Sequence, residues 1–367
     1  MTSRVPAEVF PPGEFLADEL EARGWTQTEF ATIIGRPQKL VNDVVLGKRA
    51  VTPETATDFA EALGTSALFW LNLESAWQLS KLPPRDNSIA RSAVIRGRFP
   101  VREMMKRGWL KQTDSISELE ESLCSYFELS SIDDEIVFQH AARRNYNADV
   151  MPIQWAWIFR VNQLASSLKL RPYDEGALRD RISELEGLMI APEAIRLIPK
   201  ILGECGVRLV IVEPVPGSEI QGVCFWLPNG SPVIGLSLKG DQIDKFWFDF
   251  WHEVEHVLHG DGKDGIVIDT FDENEILSSD IEERANAKAA EHCVPQKQMQ
   301  NFILRHAPIF SERGLLGFSK LVHRHPGIVA GQIQRHEKRW DLFKKYQPRI
   351  RHILVQTALT DGYGVRL

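Results

Sequence analysis

The hexapeptide Trp251-His252-Glu253-Val254-Glu255-His256 holds two histidines four residues apart, with a glutamate directly after the first. On an α-helix that spacing puts both imidazoles on one face, one turn apart, where both can bind a single divalent ion. Glu253 then sits beside an open coordination position, placed as a general base to take a proton from water there. The chemistry served by H-E-x-x-H is metal-assisted hydrolysis, with zinc as the expected ion. Such a site needs a third protein ligand and leaves the fourth position open.

The element that must position the pair is a helix. Ile243, Phe246, Trp247, Phe250, Trp251, Val254, Val257 and Leu258 fall in one stripe at ~100° per residue, and His252 and His256 lie roughly opposite it. The aromatics fill the core face, which leaves two readings for the histidines: metal ligands, or a solvated surface pair. His259 shares their face but lies seven residues from His252, roughly 10 Å along the axis, too far to share one ion. It reads as a residue supporting a ligand from behind, or as a surface residue.

The third ligand is expected from the next helix, residues 280–290. There Glu282, Ala285, Asn286, Ala289 and Cys293 form one side, whose small residues permit close approach of a neighbouring helix. Glu282 is the charge in that stripe, and a buried carboxylate needs a partner that zinc would supply. Asn286, one turn on, is placed to hydrogen-bond a ligand. The competing reading of Glu282 is an acid favoured by the helix dipole. Upstream, residues 178–202 carry helical periodicity and residues 207–212 read as a buried strand. Residues 222–227 and 232–237 flank Asn229-Gly230, a hairpin signal.

Residues 11–80 read as a separate helical unit. Thr26-Gln27-Thr28-Glu29 is a capping box opening a short helix, Gly35-Arg36-Pro37 is a tight turn, and a second short helix runs from Gln38 to about Leu46. Gln38, Lys39 and Asn42 lie on its outer side, and Arg36, Lys48 and Arg49 add charge nearby. Amide and basic side chains read base edges and phosphates in a major groove. Residues 36–49 carry +3, although residues 1–80 hold six basic and eleven acidic residues. The alternative is a small packing domain with a solvated basic turn. One such unit reads a half-site, so DNA binding implies a homodimer.

The whole chain sets the limits. With 43% hydrophobic and 25% charged residues, its 367 residues suit two or three globular domains. Net charge is −7, so nucleic-acid binding requires a local basic patch. No membrane-length apolar run and no secretory apolar core are present, and the four scattered cysteines read as reduced thiols; a cytoplasmic protein is expected. The proline-bearing stretch 81–88 marks a boundary. Residues 81–169 read as a helical connector with a dimerisation surface, in which Arg143-Arg144 is a solvated helix face. Residues 170–345 read as the metal-binding domain and 346–367 as a tail. The fold class is mainly α with a small α+β part around a short β-sheet.

Two resemblances follow from these residues. Pro12-Gly13-Glu14, residues 26–31, Leu46-Gly47-Lys48-Arg49-Ala50-Val51-Thr52-Pro53-Glu54-Thr55-Ala56 and Phe69-Trp70-Leu71-Asn72-Leu73 resemble the HigA-type antitoxins of the XRE helix-turn-helix group. That resemblance implies operator DNA binding and a toxin partner of the HigB type. Phe246-Trp247-Phe248, H-E-V-E-H, Glu282-x-x-Ala285-Asn286-x-x-Ala289, Val294-Pro295 and residues 325–332 resemble the ImmA/IrrE metallopeptidases, with a zincin-like domain. It implies zinc on His252, His256 and Glu282, Glu253 as base, and a helix-turn-helix repressor as substrate. Glu255 and Lys288 stand where that family has a small residue and a phenylalanine. Two other functions stay open: a peptidase whose N-terminal unit docks a protein partner, and a non-catalytic protein with a structural or sensory zinc.

Overall fold

A computed structural model describes residues 9–83, 87–138, 150–263, 265–270 and 280–365. The chain divides into two compact units, Met1–Ile89 and Ala90–Leu367. Arg143 and Arg144 lie outside the described residues.

The N-terminal unit is built from α1 (Pro12–Arg23), α2 (Gln27–Ile33), α3 (Gln38–Val45), α4 (Pro53–Leu63) and α5 (Ala67–Ser80). The capping box forms: the Glu29 amide donates to Thr26 Oγ1, and the Thr26 amide donates to the Glu29 carboxylate. Gly35, at φ +65°, turns the chain into α3. Leu40, Val41 and Val44 of α3 bury against Leu16, Phe30, Phe59 and Trp70. Gly13 lets α1 close on the end of α3, since a Cβ there would stand 2.3 Å from the Val44 carbonyl oxygen.

The second unit surrounds one five-stranded sheet in the order β4-β2-β3-β1-β5. Its strands are β1 (Arg208–Val212), β2 (Ile220–Trp226), β3 (Pro232–Leu236), β4 (Val267–Thr270) and β5 (Leu359–Asp361). The expected hairpin pairs β2 with β3 antiparallel, Trp226 opposite Pro232. β1 runs parallel to both β3 and β5. Strand alternation sorts the apolar side chains into two cores. Leu209, Ile211, Cys224, Ile234 and Leu236 face one way. Val210, Val212, Val223, Phe225 and Val233 face the other.

The first face is covered by helices that follow β3 or precede β1, among them α10 (Glu175–Asp180), α11 (Ile182–Gly187), α12 (Ile198–Glu204), α13 (Ile243–His259), α14 (Asp280–Cys293), α15 (Gln296–His306), α16 (Glu312–Leu321), α17 (Pro326–Glu337) and α18 (Arg351–Leu354). The second face is covered by α6 (Ser88–Arg98), α7 (Val101–Lys106), α8 (Ile116–Phe127) and α9 (Pro152–Ser167). The molecule is mainly helical with a small sheet, as the patterning predicts.

The domain boundaries differ from expectation. Residues 81–169 are largely helical where described, but α6–α9 are the second layer of the sheet rather than a connector. Trp157 Nε1 donates to the Val212 carbonyl, 3.0 Å away, tying α9 to β1. The physical reason is that β1 and β3 are apolar on both faces, so one helical layer leaves the other face bare. Residues 346–367 are likewise no free tail. They supply β5, whose Asp361 accepts from Trp109 Nε1 at 2.8 Å and pairs with Arg160. No described helix is long and apolar enough to cross a membrane.

Candidate functional site

α13 begins after Gln242 and stops at Gly260, whose φ of 72° is the left-handed cap. From Phe250 to Leu258 every residue is buried. Phe246, Trp247, Phe250 and Trp251 pack into the core, and the opposite face is covered by α14, whose Ala285 and Ala289 are buried. His252 and His256 are therefore 1% and 0% exposed, which removes the surface-pair reading.

Among the described residues, the ligand atoms of His252, His256 and Glu282 lie within 4.8 Å of one another. His252 Nε2 is 2.9 Å from His256 Nε2 and 3.1 Å from Glu282 Oε2, and His256 Nε2 is 3.7 Å from Glu282 Oε1. Each ring is held from behind. His252 Nδ1 donates to Asn286 Oδ1 at 3.2 Å, and His256 Nδ1 donates to Asp261 Oδ2 at 3.0 Å. Asp261 is in turn paired with Arg284. With the hydrogens on Nδ1, two Nε2 lone pairs and a carboxylate converge, an arrangement that repels itself unless a positive charge sits among them. Donors on a tetrahedral ion with ~2.05 Å bonds stand ~3.3 Å apart, so the three residues fit zinc in type and spacing.

Without an ion, a proton on His252 supplies that positive charge. Burial penalises the charged form of His252, but the Glu282 bond and the carboxylates of Glu253 and Asp269 outweigh it and push the pKa up to about 9. Desolvation works against ionised Glu282, yet the two imidazoles bring it down to about 2. Burial pushes the Glu253 carboxyl well up, against the opposing pull of His252. Glu253 is 1% exposed, and its Oε2 has no hydrogen-bond partner among the described residues. Gly222 of β2 makes room for this carboxylate: a Cβ there would stand 2.0 Å from Oε1.

A cleft of about 450 Å³ runs beside α13, lined by Asp249, Asp269, Phe248, Asn286 and Arg335 among others. Burial, then Asp269, pushes the Asp249 carboxyl well up, offset less by His252, Arg335 and Lys245.

His259 does not support the trio. Its Nδ1 is 2.8 Å from the Glu255 carbonyl and 3.4 Å from the Glu255 carboxylate, because a further turn of helix carries it past the ligands. The supporting place behind His256 belongs to Asp261, which the sequence reading missed; its signal is a carboxylate five residues after His256, just past the helix stop. Glu255 is also explained. It accepts from His292 Nε2 at 2.8 Å, while His292 stacks on Trp251 with centroids 4.1 Å apart and its Nδ1 bonds Glu186. Lys288 is exposed.

In the N-terminal unit Gln38, Lys39, Asn42, Lys48 and Arg49 are all exposed, around the outer face of α3 and the turn after it. Arg36 is exposed too, but its Nε is held by Asp58 of α4 at 2.7 Å.

Comparison with known proteins concerns this unit. The helix-turn-helix model HTH_3 matches residues 16–70. The chain is 31% identical over 70 residues to the uncharacterized HTH-type transcriptional regulator YddM of Escherichia coli K12, covering 19% of this chain and 74% of that one. It is 35% identical over 66 residues to virulence-associated protein A of Dichelobacter nodosus, covering 18% and 65%. Among solved structures, the Pseudomonas aeruginosa antitoxin HigA with higBA promoter is 31% identical over 20% of this chain and 80% of that one, with a TM-score of 0.20. Through its N-terminal unit, the chain belongs to the helix-turn-helix family of HTH-type transcriptional regulators.

Proposed function

We propose that this chain is an operator-binding regulator of the antitoxin type whose second unit is a zinc-dependent peptidase of the ImmA/IrrE kind. The DNA half is supported by the family and by the exposed row of Gln38, Lys39 and Asn42, with Lys48 and Arg49 on phosphates. Binding as a homodimer would match two half-sites.

The observation that carries the peptidase half is the convergence of the buried His252 and His256 with the partly buried Glu282, with Glu253 following His252 on the same helix. Zinc held by that trio would polarise a peptide carbonyl and acidify a water molecule. Glu253 accepts the proton of the attacking water on its carboxylate and passes it to the leaving amine nitrogen. Asn286 and Asp261 fix the ring orientations, and Gly222 leaves the carboxylate its space. A helix-turn-helix repressor, a HigB-type toxin or the chain itself is the substrate.

The test uses the full chain, metal analysis, and the protein encoded beside it as substrate. Glu253→Gln is expected to abolish cleavage while leaving the gel shift of its own promoter intact. Cleavage by Glu253→Gln at the wild-type rate sinks the peptidase half. No retardation of promoter DNA at low salt sinks the DNA half.

A further inference from the structure

We propose that the cleft beside α13 is the subsite for a cationic side chain, lysine or arginine, of the substrate peptide. The proposal rests on the peptidase reading for where the peptide lies. Cleft and trio share walls. Asn286, which bonds His252, lines the cleft, and Asp249 lies one turn before His252 on α13. Asp269, on β4, is registered opposite Gly222, the residue that accommodates Glu253. A side chain next to the bond being cut thus has the cleft within reach.

The lining selects the class of side chain. Asp244, Asp249 and Asp269 supply three carboxylates, and Asp244 Oδ1 is buried without a hydrogen-bond partner among the described residues. Burial disfavours the charged forms of Asp244 and Asp249, and a cation entering beside them restores those forms. Phe248 and Ile328 give an apolar wall for the methylene stem of lysine or arginine. That wall already accepts a guanidinium: Arg335 lies over the Phe248 ring, 4.4 Å from its centroid. Arg335 and Lys245, the cationic residues in the lining, are both exposed, whereas Asp244, Asp249 and Asp269 are partly buried. The volume falls within the ~300–1,000 Å³ of small-ligand sites.

The experiment titrates two blocked peptides, acetyl-Ala-Ala-Arg-Ala-Ala-amide and its citrulline counterpart, into full-length protein by calorimetry. Citrulline keeps the shape of arginine and drops the charge. Titrations use the Glu253→Gln chain so that peptide is not consumed, with zinc and with chelator. The arginine peptide is expected to bind about tenfold tighter. Asp249→Asn and Asp269→Asn, each checked by circular dichroism and melting, are expected to shrink that ratio to about twofold or less. Equal affinity for the two peptides, binding of neither, or a ratio that survives both substitutions overturns the subsite; the first two need no variant of the cleft. Zinc content and hydrolysis are scored separately on wild-type protein. Charge discrimination that persists where no zinc binds supports the subsite and sinks the peptidase reading. Zinc-dependent cleavage indifferent to the charge does the reverse.

Discussion

Gly222→Ala tests how the site is built. The added Cβ would stand 2.0 Å from Glu253 Oε1, 2.9 Å from Cδ and 3.2 Å from Cγ. Relief to ordinary contact moves the carboxylate by more than ~1 Å. Glu253 is 1% exposed, so it moves into packed surroundings. Overpacking of this kind costs ~1–3 kcal/mol. The group that gives way is the end of a side chain rather than backbone, so the lower half of that range is expected, about 1–2 kcal/mol. For the second unit this is a fall in Tm of roughly 2–8 °C, followed by scanning calorimetry, which separates the two units' transitions. A double-mutant cycle isolates the contact. In Glu253→Ala the obstructing carboxylate is gone, and Gly222→Ala should then cost under about 0.5 kcal/mol. Equal costs in the two backgrounds would refute the reasoning. In the wild-type background, displacement of the base by about 1 Å should lower hydrolysis ~100-fold while zinc content stays unchanged.

Four further outcomes are expected. Asp261→Asn weakens the support behind His256 and lowers zinc affinity by about 10–100-fold in chelator competition; an unchanged affinity refutes its role. In the metal-free protein His252 holds its proton up to about pH 9, and that proton must leave on binding. Zinc affinity therefore rises about tenfold per pH unit below that value and levels off above it, whereas a flat profile between pH 6 and 8 contradicts the assignment. Glu255→Ala strips His292 Nε2 of its carboxylate and should destabilise the second unit by ~1–3 kcal/mol in denaturant melts. Lys39→Ala should weaken DNA binding evenly across sequences and reduce the salt slope by about 1, while Asn42→Ala should relax sequence preference in a competition gel shift.

What could be read from the residues is what short-range periodicity controls. The four-residue spacing of His252 and His256 sets a shared helix face whatever surrounds it. Thr26 and Glu29 make their capping box within one turn, and Asn229-Gly230 closes its hairpin locally. The small-residue stripe of α14 marks the side that meets α13, and so the side that carries Glu282.

The tertiary structure decided the rest, because contacts between distant segments depend on register and on which face a layer covers. Strand alternation shows that β1 and β3 carry apolar side chains on both faces, but only packing assigns α6–α9 to the second one. Three residues near the C-terminus carry too little pattern to read as a strand until β1 offers an edge for β5. Gly222 gains its meaning from Glu253, 31 positions on, and Asp269 from its register with Gly222. His259 shows the limit of angle alone: it points along the ligand face, yet the rise of one further turn gives it Glu255 as partner instead of the trio.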